Sequence, residues 1–148
     1  MAVKENFDKA FLWTIGAEGK PTDDPHDPGG FTIWGLAKRY HAAISKDTTI
    51  EYAKEVYRKE YWDAINGDSM PYPLDIAAFD CAVNPGLGVA LRLLNQTNDW
   101  QDLMILRLKY YSELVRKNPD KLRYFRGWAN RVLNLWDMIK KSDEKEAK

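Results

Sequence analysis

The segment Leu74–Val83 constrains the fold more than any other part of this sequence, because it is apolar on nearly all sides. A helix that is apolar all round must be buried inside the protein. Pro73 suits the first turn of such a helix, and the run Asn84–Gly86 provides residues that end it. We therefore predict a buried central helix over 74–83, with the other segments packed around it.

Apolar side chains recur at helical spacing in five further segments. The first of these segments ends before Gly19, and the second begins after Thr48. The other three run from about Gly88 to Asn95, from about Trp100 to Lys117, and from beyond Pro119 to about Lys141. Thr48 and Glu51 form a capping-box pattern that predicts where the second of these helices begins. Residues 20–34 contain closely spaced Pro and Gly, which predicts a small irregular or β loop. The chain is therefore expected to be mainly α.

Composition argues against several classes of protein. No apolar run is long enough for a transmembrane helix. Cys81 is the one cysteine, so an internal disulfide and a thiolate metal cluster are excluded, and His26 and His41 lack the spacing of a zinc site. We expect no metal and no cofactor. The polar segment 1–6 does not resemble a signal peptide, so we expect the protein to be made in the cytosol.

The net charge is zero, but the charges are unevenly distributed along the chain. Residues 1–100 contain 10 Lys or Arg and 15 Asp or Glu, a net charge of −5, whereas residues 101–148 contain 12 and 7, a net charge of +5. A basic C-terminal third can steer a protein toward an anionic polymer. Two oppositely charged faces that pair with each other explain the same distribution equally well.

Two carboxylates could carry acid–base chemistry. Glu18 falls on the apolar face of the first helix, one turn beyond Ile15, where partial desolvation favours the protonated carboxyl that a general acid needs. Asp27 follows in a polar loop, and the Thr32 hydroxyl could hold a water molecule against it. One acid in apolar surroundings and one in a polar loop suit cleavage of a glycosidic bond. The alternatives are a Glu18 that points to water, a turn-forming Asp27 and a strand-forming Thr32.

Three further side chains are candidates for substrate binding. Trp34 could line a sugar site with its flat ring, or it could lie in the core. Asp80 and Asn84 are one helical turn apart and could orient groups beneath a cleft, or they could form a structural hydrogen-bonded pair. The aromatic and basic segment Phe125–Val132 suits an anionic glycan, a membrane surface or nucleic acid; alternatively, its aromatic rings pack inward and its arginines face water.

Several blocks of residues occur in a recognisable order. From the N-terminus they are Glu18-Gly19, Asp24-Pro25, Asp27–Gly35, Val56–Arg58 with Tyr61-Trp62, Phe79-Asp80 with Ala82–Asn84 and Gly86, and Gly127-Trp128 with Asn130–Val132. Together they cover almost the whole chain and resemble glycoside hydrolase family 108, the bacterial and phage N-acetylmuramidases. The spacing of Glu18, Asp27 and Thr32 is also similar to the Glu-Asp-Thr layout of phage T4-type lysozymes. The chain departs from the family at Lys20-Pro21, where a glycine and an aromatic residue are usual.

The resemblance implies a lysozyme-like, two-lobed helical fold in one domain over 1–148. A catalytic lobe is expected at 1–70, a helical lobe at 71–141 and a charged, frayed tail at 142–148. The implied reaction is hydrolysis of the β-1,4 bond between N-acetylmuramic acid and N-acetylglucosamine in peptidoglycan. By the same resemblance, Glu18 is the essential catalytic carboxylate, while Asp27 with Thr32 positions water or stabilises an oxocarbenium-like transition state.

The expected partner is the glycan strand of peptidoglycan, with no nucleic acid, no stable membrane insertion and a monomeric state. A lytic enzyme without a signal peptide fits a phage endolysin, which is made in the host cytosol and released to the cell wall through a membrane pore. Two alternatives stay open. One is a non-catalytic cell-wall-binding module of the same fold, and the other is membrane disruption by the C-terminal helix rich in Trp and Arg.

Overall fold

A computed structural model describes the backbone of residues 3–18 and 30–147 and the side chains of residues 6–18 and 30–143. The chain divides into two compact units, Met1–Ser69 and Met70–Lys148. The described residues form six α-helices and one two-stranded sheet, which confirms the mainly α fold class. None of these helices combines the length and the apolar character needed to cross a bilayer.

The first unit is built around the aromatic face of its N-terminal helix. Its elements are helix α1 (Val3–Glu18), strands β1 (Thr32–Ile33) and β2 (Leu36–Ala37), helix α2 (Ile50–Tyr57), a π-helical turn (Arg58–Trp62) and a 3-10 turn (Gly67–Ser69). Phe7 packs against Trp62 and Phe11 against Tyr57, with ring centroids 5.3 and 5.6 Å apart. All four side chains are at most 1% exposed. Burial of these rings fixes α1, which ends at Glu18, beside α2.

Helix α2 starts one residue later than the capping-box pattern predicted. Its N-cap is Thr49, whose Oγ1 accepts a hydrogen bond from the Tyr52 backbone N at 3.1 Å. The Thr48 hydroxyl oxygen instead accepts from the Ser45 backbone N at 2.8 Å and so closes the preceding turn. Because adjacent threonines offer the same chemistry, the extended backbone of Thr49 (φ −83°, ψ 157°) decides which of them caps the helix.

The second unit confirms the predicted buried helix. Its elements are helices α3 (Leu74–Val83), α4 (Leu87–Leu94) and α5 (Trp100–Lys117), a 3-10 turn (Pro119–Lys121) and helix α6 (Leu122–Ala147). Nine residues of α3 are buried. Helix α3 packs against α4 and α5, and α5 packs in turn against α6. The stacked rings of Tyr111 and Trp128, with centroids 4.8 Å apart, join these last two helices.

Helix α6 is longer than the sequence predicted. It was expected to end near Lys141, with a frayed tail from Ser142, but it continues to Ala147. The Lys141 ammonium lies 3.0 Å from the Asp137 carboxylate one turn earlier. Charged residues four positions apart are compatible with a helix exposed to water. The charged composition after Lys141 therefore did not indicate where α6 ends.

Candidate active site

Glu18, the predicted general acid, is the last residue of α1 and is half-buried. Its side chain lies along the backbone of Gly35, so closely that a Cβ atom added to Gly35 would be 3.0 Å from Glu18 Cγ. Helix α1 is held by its buried aromatic residues. The position of the Glu18 carboxyl therefore depends on two elements, the end of α1 and the turn that contains Gly35.

That turn joins β1 and β2, which pair antiparallel with Thr32 opposite Ala37 and Ile33 opposite Leu36. Its two central residues are Trp34 and Gly35, with φ values of 53° and 77°. Positive φ at both central residues is typical of the type I′ turn, whose twist matches that of a two-stranded hairpin. The short β element that was predicted near residues 20–34 is therefore this hairpin, which extends to Ala37.

Tyr57 and Thr48 hold the turn in place. The Tyr57 hydroxyl donates a hydrogen bond to the Trp34 backbone oxygen at 2.8 Å, and the Trp34 indole Nε1 donates to the Thr48 backbone oxygen at 2.9 Å. A bulky residue rarely adopts positive φ, and these two bonds stabilise it here. A Cβ atom on Gly35 would overlap the Tyr57 hydroxyl oxygen. Glycine is therefore required at this position by both conformation and space.

Tyr61 lies within electrostatic reach of Glu18. Burial raises the pKa of the Tyr61 hydroxyl, and the negative charges of Glu60 and Glu18 raise it further. The hydroxyl therefore stays protonated at neutral pH and is available as a hydrogen-bond donor. Glu60 itself lies 3.0 Å from the His41 ring nitrogen Nε2.

The structure places the other predicted residues in different surroundings. Thr32 is half-buried in β1, on the same hairpin as the Gly35 turn that Glu18 contacts. Trp34 is in that turn, with its indole nitrogen already bonded to backbone. Asp27 lies in 19–29, outside the described residues. Its role, like those of Glu18, Thr32 and Trp34, stays a prediction.

Asp80 and Asn84 belong to a buried polar network in the second unit. The fully buried Asp80 carboxylate accepts hydrogen bonds from Arg107 Nη1 at 2.8 Å and from Arg131 Nη2 at 2.7 Å. The Asn84 amide oxygen accepts from the Tyr111 hydroxyl, which in turn accepts from Arg107 Nε at 2.9 Å. The structural alternative left open by the sequence was a hydrogen-bonded pair, whereas these contacts join Asp80 to two arginines and Asn84 to Tyr111 in a wider network. The substrate-binding role of Asp80 and Asn84 is not tested by them.

The network also sets the charge states of its members. Burial alone would raise the pKa of Asp80, but Arg107 and Arg131 outweigh it and hold that pKa below its usual range. Burial raises the pKa of the neighbouring Cys81 thiol to about 11. A buried and protonated thiol is a poor nucleophile, so Cys81 serves as a small core residue. Within the described residues, no cluster of three or more His, Cys, Asp or Glu could hold a metal ion.

The sequence profile described as Glycosyl hydrolase 108 matches residues 11–86, which is more than half of the chain. The chain belongs to the glycosyl hydrolase 108 family. The match contains all six residues predicted for the site. Family membership supports a glycoside hydrolase and, more specifically, a lysozyme-like peptidoglycan hydrolase.

A solved structure similar to this glycosyl hydrolase 108 protein is "Structure of Brucella abortus SagA". It shares 24% sequence identity with a TM-score of 0.75, over 93% of this chain and 95% of that chain. At this identity the likeness shows the fold, and at 93% coverage it extends beyond the residues of the family match. No curated protein sequence matches the chain.

The main residues that sequence reasoning missed in this glycosyl hydrolase 108 site are Gly35, Tyr57 and Tyr61. From the sequence alone, all three were identified only within blocks of residues that resemble the family. The signal that could have singled out Gly35 is its position after strand-like residues, since glycine inside a strand pattern indicates a turn or a close backbone approach.

We expect Gly35→Ala to reduce the rate of peptidoglycan hydrolysis at least tenfold and to lower the free energy of unfolding by roughly 1–3 kcal/mol. The added methyl group would overlap the Tyr57 hydroxyl and press on Glu18 Cγ. Hydrolysis would be followed as release of reducing ends, and stability by urea denaturation. The control is Gly88→Ala in α4, where a Cβ atom would meet nothing within 4 Å, so activity should be unchanged and the free energy of unfolding should not fall. Normal activity in the Gly35→Ala variant would show that the turn does not position Glu18.

Proposed function

We propose that this protein is an N-acetylmuramidase, which cleaves the β-1,4 bond between N-acetylmuramic acid and N-acetylglucosamine in peptidoglycan, with Glu18 as the general acid. The observation that carries the proposal is the placement of Glu18, a half-buried residue at the end of α1 whose side chain lies against the Gly35 turn. Support for the substrate class comes from membership of the glycosyl hydrolase 108 family.

The surroundings of Glu18 suit proton donation to a leaving oxygen. Glu18 is the last residue of α1 and its side chain lies against the Gly35 turn, so two elements fix where its carboxyl can meet a substrate. The nearby hydroxyl of Tyr61 stays protonated, so it can donate a hydrogen bond to an oxygen atom that gains negative charge during the reaction. In the proposed reaction, Glu18 protonates the glycosidic oxygen as the bond to the anomeric carbon breaks.

The second half of the proposed mechanism belongs to Asp27, together with Thr32. In one version they position and activate the attacking water; in the other the Asp27 carboxylate stabilises the oxocarbenium-like transition state. The distance between the two carboxyl groups distinguishes these outcomes in glycosidases, since about 6.5–9.5 Å accommodates water and gives inversion, whereas about 5–5.5 Å gives retention. Anomeric analysis of the first product by NMR tests which version applies.

The identity of the cleaved bond can be tested from the products. Purified peptidoglycan would be digested, reduced with borohydride and analysed by mass spectrometry. A muramidase leaves N-acetylmuramic acid at the new reducing end, so reduced muramic acid is the expected product. Reduced glucosamine ends would contradict the proposed bond, and 1,6-anhydromuramic ends would contradict hydrolysis. Binding to sacculi with no new ends at all would favour the non-catalytic cell-wall module.

We further propose that the enzyme serves as a phage endolysin, since peptidoglycan hydrolysis releases progeny when the enzyme reaches the wall. Production of the protein in a bacterial cytosol should cause lysis only when a pore-forming protein is produced with it. Lysis without the pore protein would contradict this role and would leave the muramidase proposal untouched.

A further inference from the structure

Helices α5 and α6 leave an open apolar groove on the surface of the second unit. The groove has a volume of about 420 Å³, and its apolar lining comes from Ile105, Leu108, Phe125, Ala129 and Leu133. Ile105 and Leu133 are 44% and 57% exposed. Ile105 and Leu133 are large aliphatic side chains exposed along one groove, so this surface can contact an apolar partner.

Basic side chains flank this groove. Lys109 of α5 is part of the lining itself. On α6, the exposed residues Leu122, Arg126, Leu133 and Lys140 are spaced by 4, 7 and 7 positions, which places them on one face of the helix. Aliphatic and cationic side chains therefore alternate along this face, and Leu133 belongs to both the face and the groove lining. We call Lys109, Arg126 and Lys140 the basic rim.

The local charge balance has the same sign as the rim. Residues 105–140 contain nine Lys or Arg and three Asp or Glu. Two of the nine, Arg107 and Arg131, are ion-paired with the buried Asp80. The remaining seven cations outnumber the three acids by four, so this surface attracts an anionic partner.

We propose that the groove and its basic rim dock the protein on the surface of an anionic phospholipid membrane. Aliphatic side chains beside cations match the boundary between acyl chains and phosphate headgroups. A glycan fits less well, since the residues that line the groove offer few hydrogen-bonding groups to sugar hydroxyls. The aliphatic and basic side chains share one face along α6, so docking would place this helix parallel to the membrane surface.

Docking and hydrolysis use different parts of the chain. The groove and rim lie between residues 105 and 140, outside the matched residues 11–86 and in a different unit from Glu18. Variants in the groove should therefore leave hydrolysis of soluble peptidoglycan fragments unchanged. The two properties can be measured separately in the full chain.

The test is sedimentation of the full chain with vesicles at low salt. We expect binding to vesicles of phosphatidylglycerol and no detectable binding to vesicles of phosphatidylcholine. Each basic residue near an anionic surface contributes roughly a factor of five, so Lys109→Gln with Arg126→Gln should lower the partition coefficient roughly 25-fold. Leu133→Asn should lower it roughly tenfold, by removing an aliphatic side chain from the acyl boundary.

Matched controls keep this test specific. Leu12 of α1 is 62% exposed, close to the 57% of Leu133, so Leu12→Asn removes a comparable side chain from the other unit. Arg39→Gln with Lys46→Gln removes the same net charge from exposed positions of that unit. Both control variants should bind phosphatidylglycerol vesicles as the unmodified chain does. Circular dichroism would verify that every variant is folded.

Two results with the unmodified chain would overturn the proposal: no binding to phosphatidylglycerol vesicles, or equal binding to phosphatidylcholine vesicles. Two results with the variants would also overturn it. The first is an equal loss of vesicle binding in the rim and control charge variants, and the second is an unchanged partition coefficient for Leu133→Asn. A second copy of the chain as occupant would appear as a dimer in light scattering that Leu133→Asn converts to monomer. That result would also overturn the proposal, because the groove would then bind a second copy of the chain and not a membrane.

Discussion

Glu18→Gln should reduce the rate of peptidoglycan hydrolysis by roughly a hundredfold to ten-thousandfold, which is the contribution of a positioned general acid. The amide has nearly the shape of the carboxyl but cannot transfer a proton to the glycosidic oxygen. Glu18 is half-buried at the end of α1 and lies outside the aromatic core of Phe7 and Phe11. The free energy of unfolding should therefore change by less than about 1 kcal/mol.

The measurement is the release of reducing ends from purified peptidoglycan, with binding to intact sacculi measured in parallel. Glu55→Gln, at an exposed position of α2 in the same unit, makes the same chemical change and should leave the rate unaltered. The Glu18→Gln variant should still bind sacculi. If it hydrolyses peptidoglycan at the normal rate, Glu18 is not the acid. If it still lyses cells while hydrolysis is lost, membrane disruption becomes the better explanation of lysis.

The long regular elements could be predicted from local sequence. Helix α5 has the predicted bounds, Trp100 and Lys117, because an apolar stripe runs through it and Asp99 caps its first turn. Helix α3 was recognised by its apolar character on all sides, and nine of its residues are buried. In both cases the signal is contained in consecutive residues, so tertiary contacts did not need to be known.

The surroundings of Glu18 depend on contacts that the local pattern does not contain. Trp34 has strand-like chemistry, yet it adopts positive φ because Tyr57, 23 residues later, bonds to its backbone oxygen. The contact between Glu18 and Gly35 likewise joins residues from two elements. Periodicity could place Glu18 on a helix, but it could not indicate the turn against which the side chain lies.

The buried network shows the same limit in the second unit. An aspartate in the apolar helix α3 requires partners, and this requirement could be predicted from burial alone. The partners, Arg107 and Arg131, lie 27 and 51 residues further along the chain. Several arginines follow Asp80 in the sequence, and only the packing of α5 and α6 selects these two. The prediction therefore named Asp80 and Asn84 without their partners.

Asp80→Ala should lower the free energy of unfolding by roughly 3–5 kcal/mol, the largest stability effect that we expect for this chain. The substitution leaves the Arg107 guanidinium, whose side chain is 1% exposed, without its counter-charge. Arg131, with a side chain 9% exposed, loses the same partner. An uncompensated buried cation is far less stable than a buried pair, because it has lost its hydration and its remaining hydrogen bond to Tyr111 supplies no counter-charge.

The stabilisation of the folded protein by Asp80 should decrease at low pH. Arg107 and Arg131 hold the pKa of this carboxyl below its usual range in the folded protein, so the folded state binds the proton less well than the unfolded state. The stabilisation is therefore present above the unfolded pKa of about 3.9 and is lost as the pH falls through the lower folded pKa. The stability difference between the unmodified chain and Asp80→Ala should be constant from neutral pH to about pH 5 and should shrink below about pH 4.

Urea denaturation, followed by circular dichroism at several pH values, measures both effects. Asp137→Ala is the matched control, since it breaks an ion pair with Lys141 in which both side chains are more than 60% exposed. Its effect should be less than about 1 kcal/mol, because water screens exposed pairs. Replacing Arg107 with Met in the Asp80→Ala background should restore part of the loss, since it removes the orphaned charge. If Asp80→Ala is no more harmful than Asp137→Ala, the buried network does not stabilise the second unit.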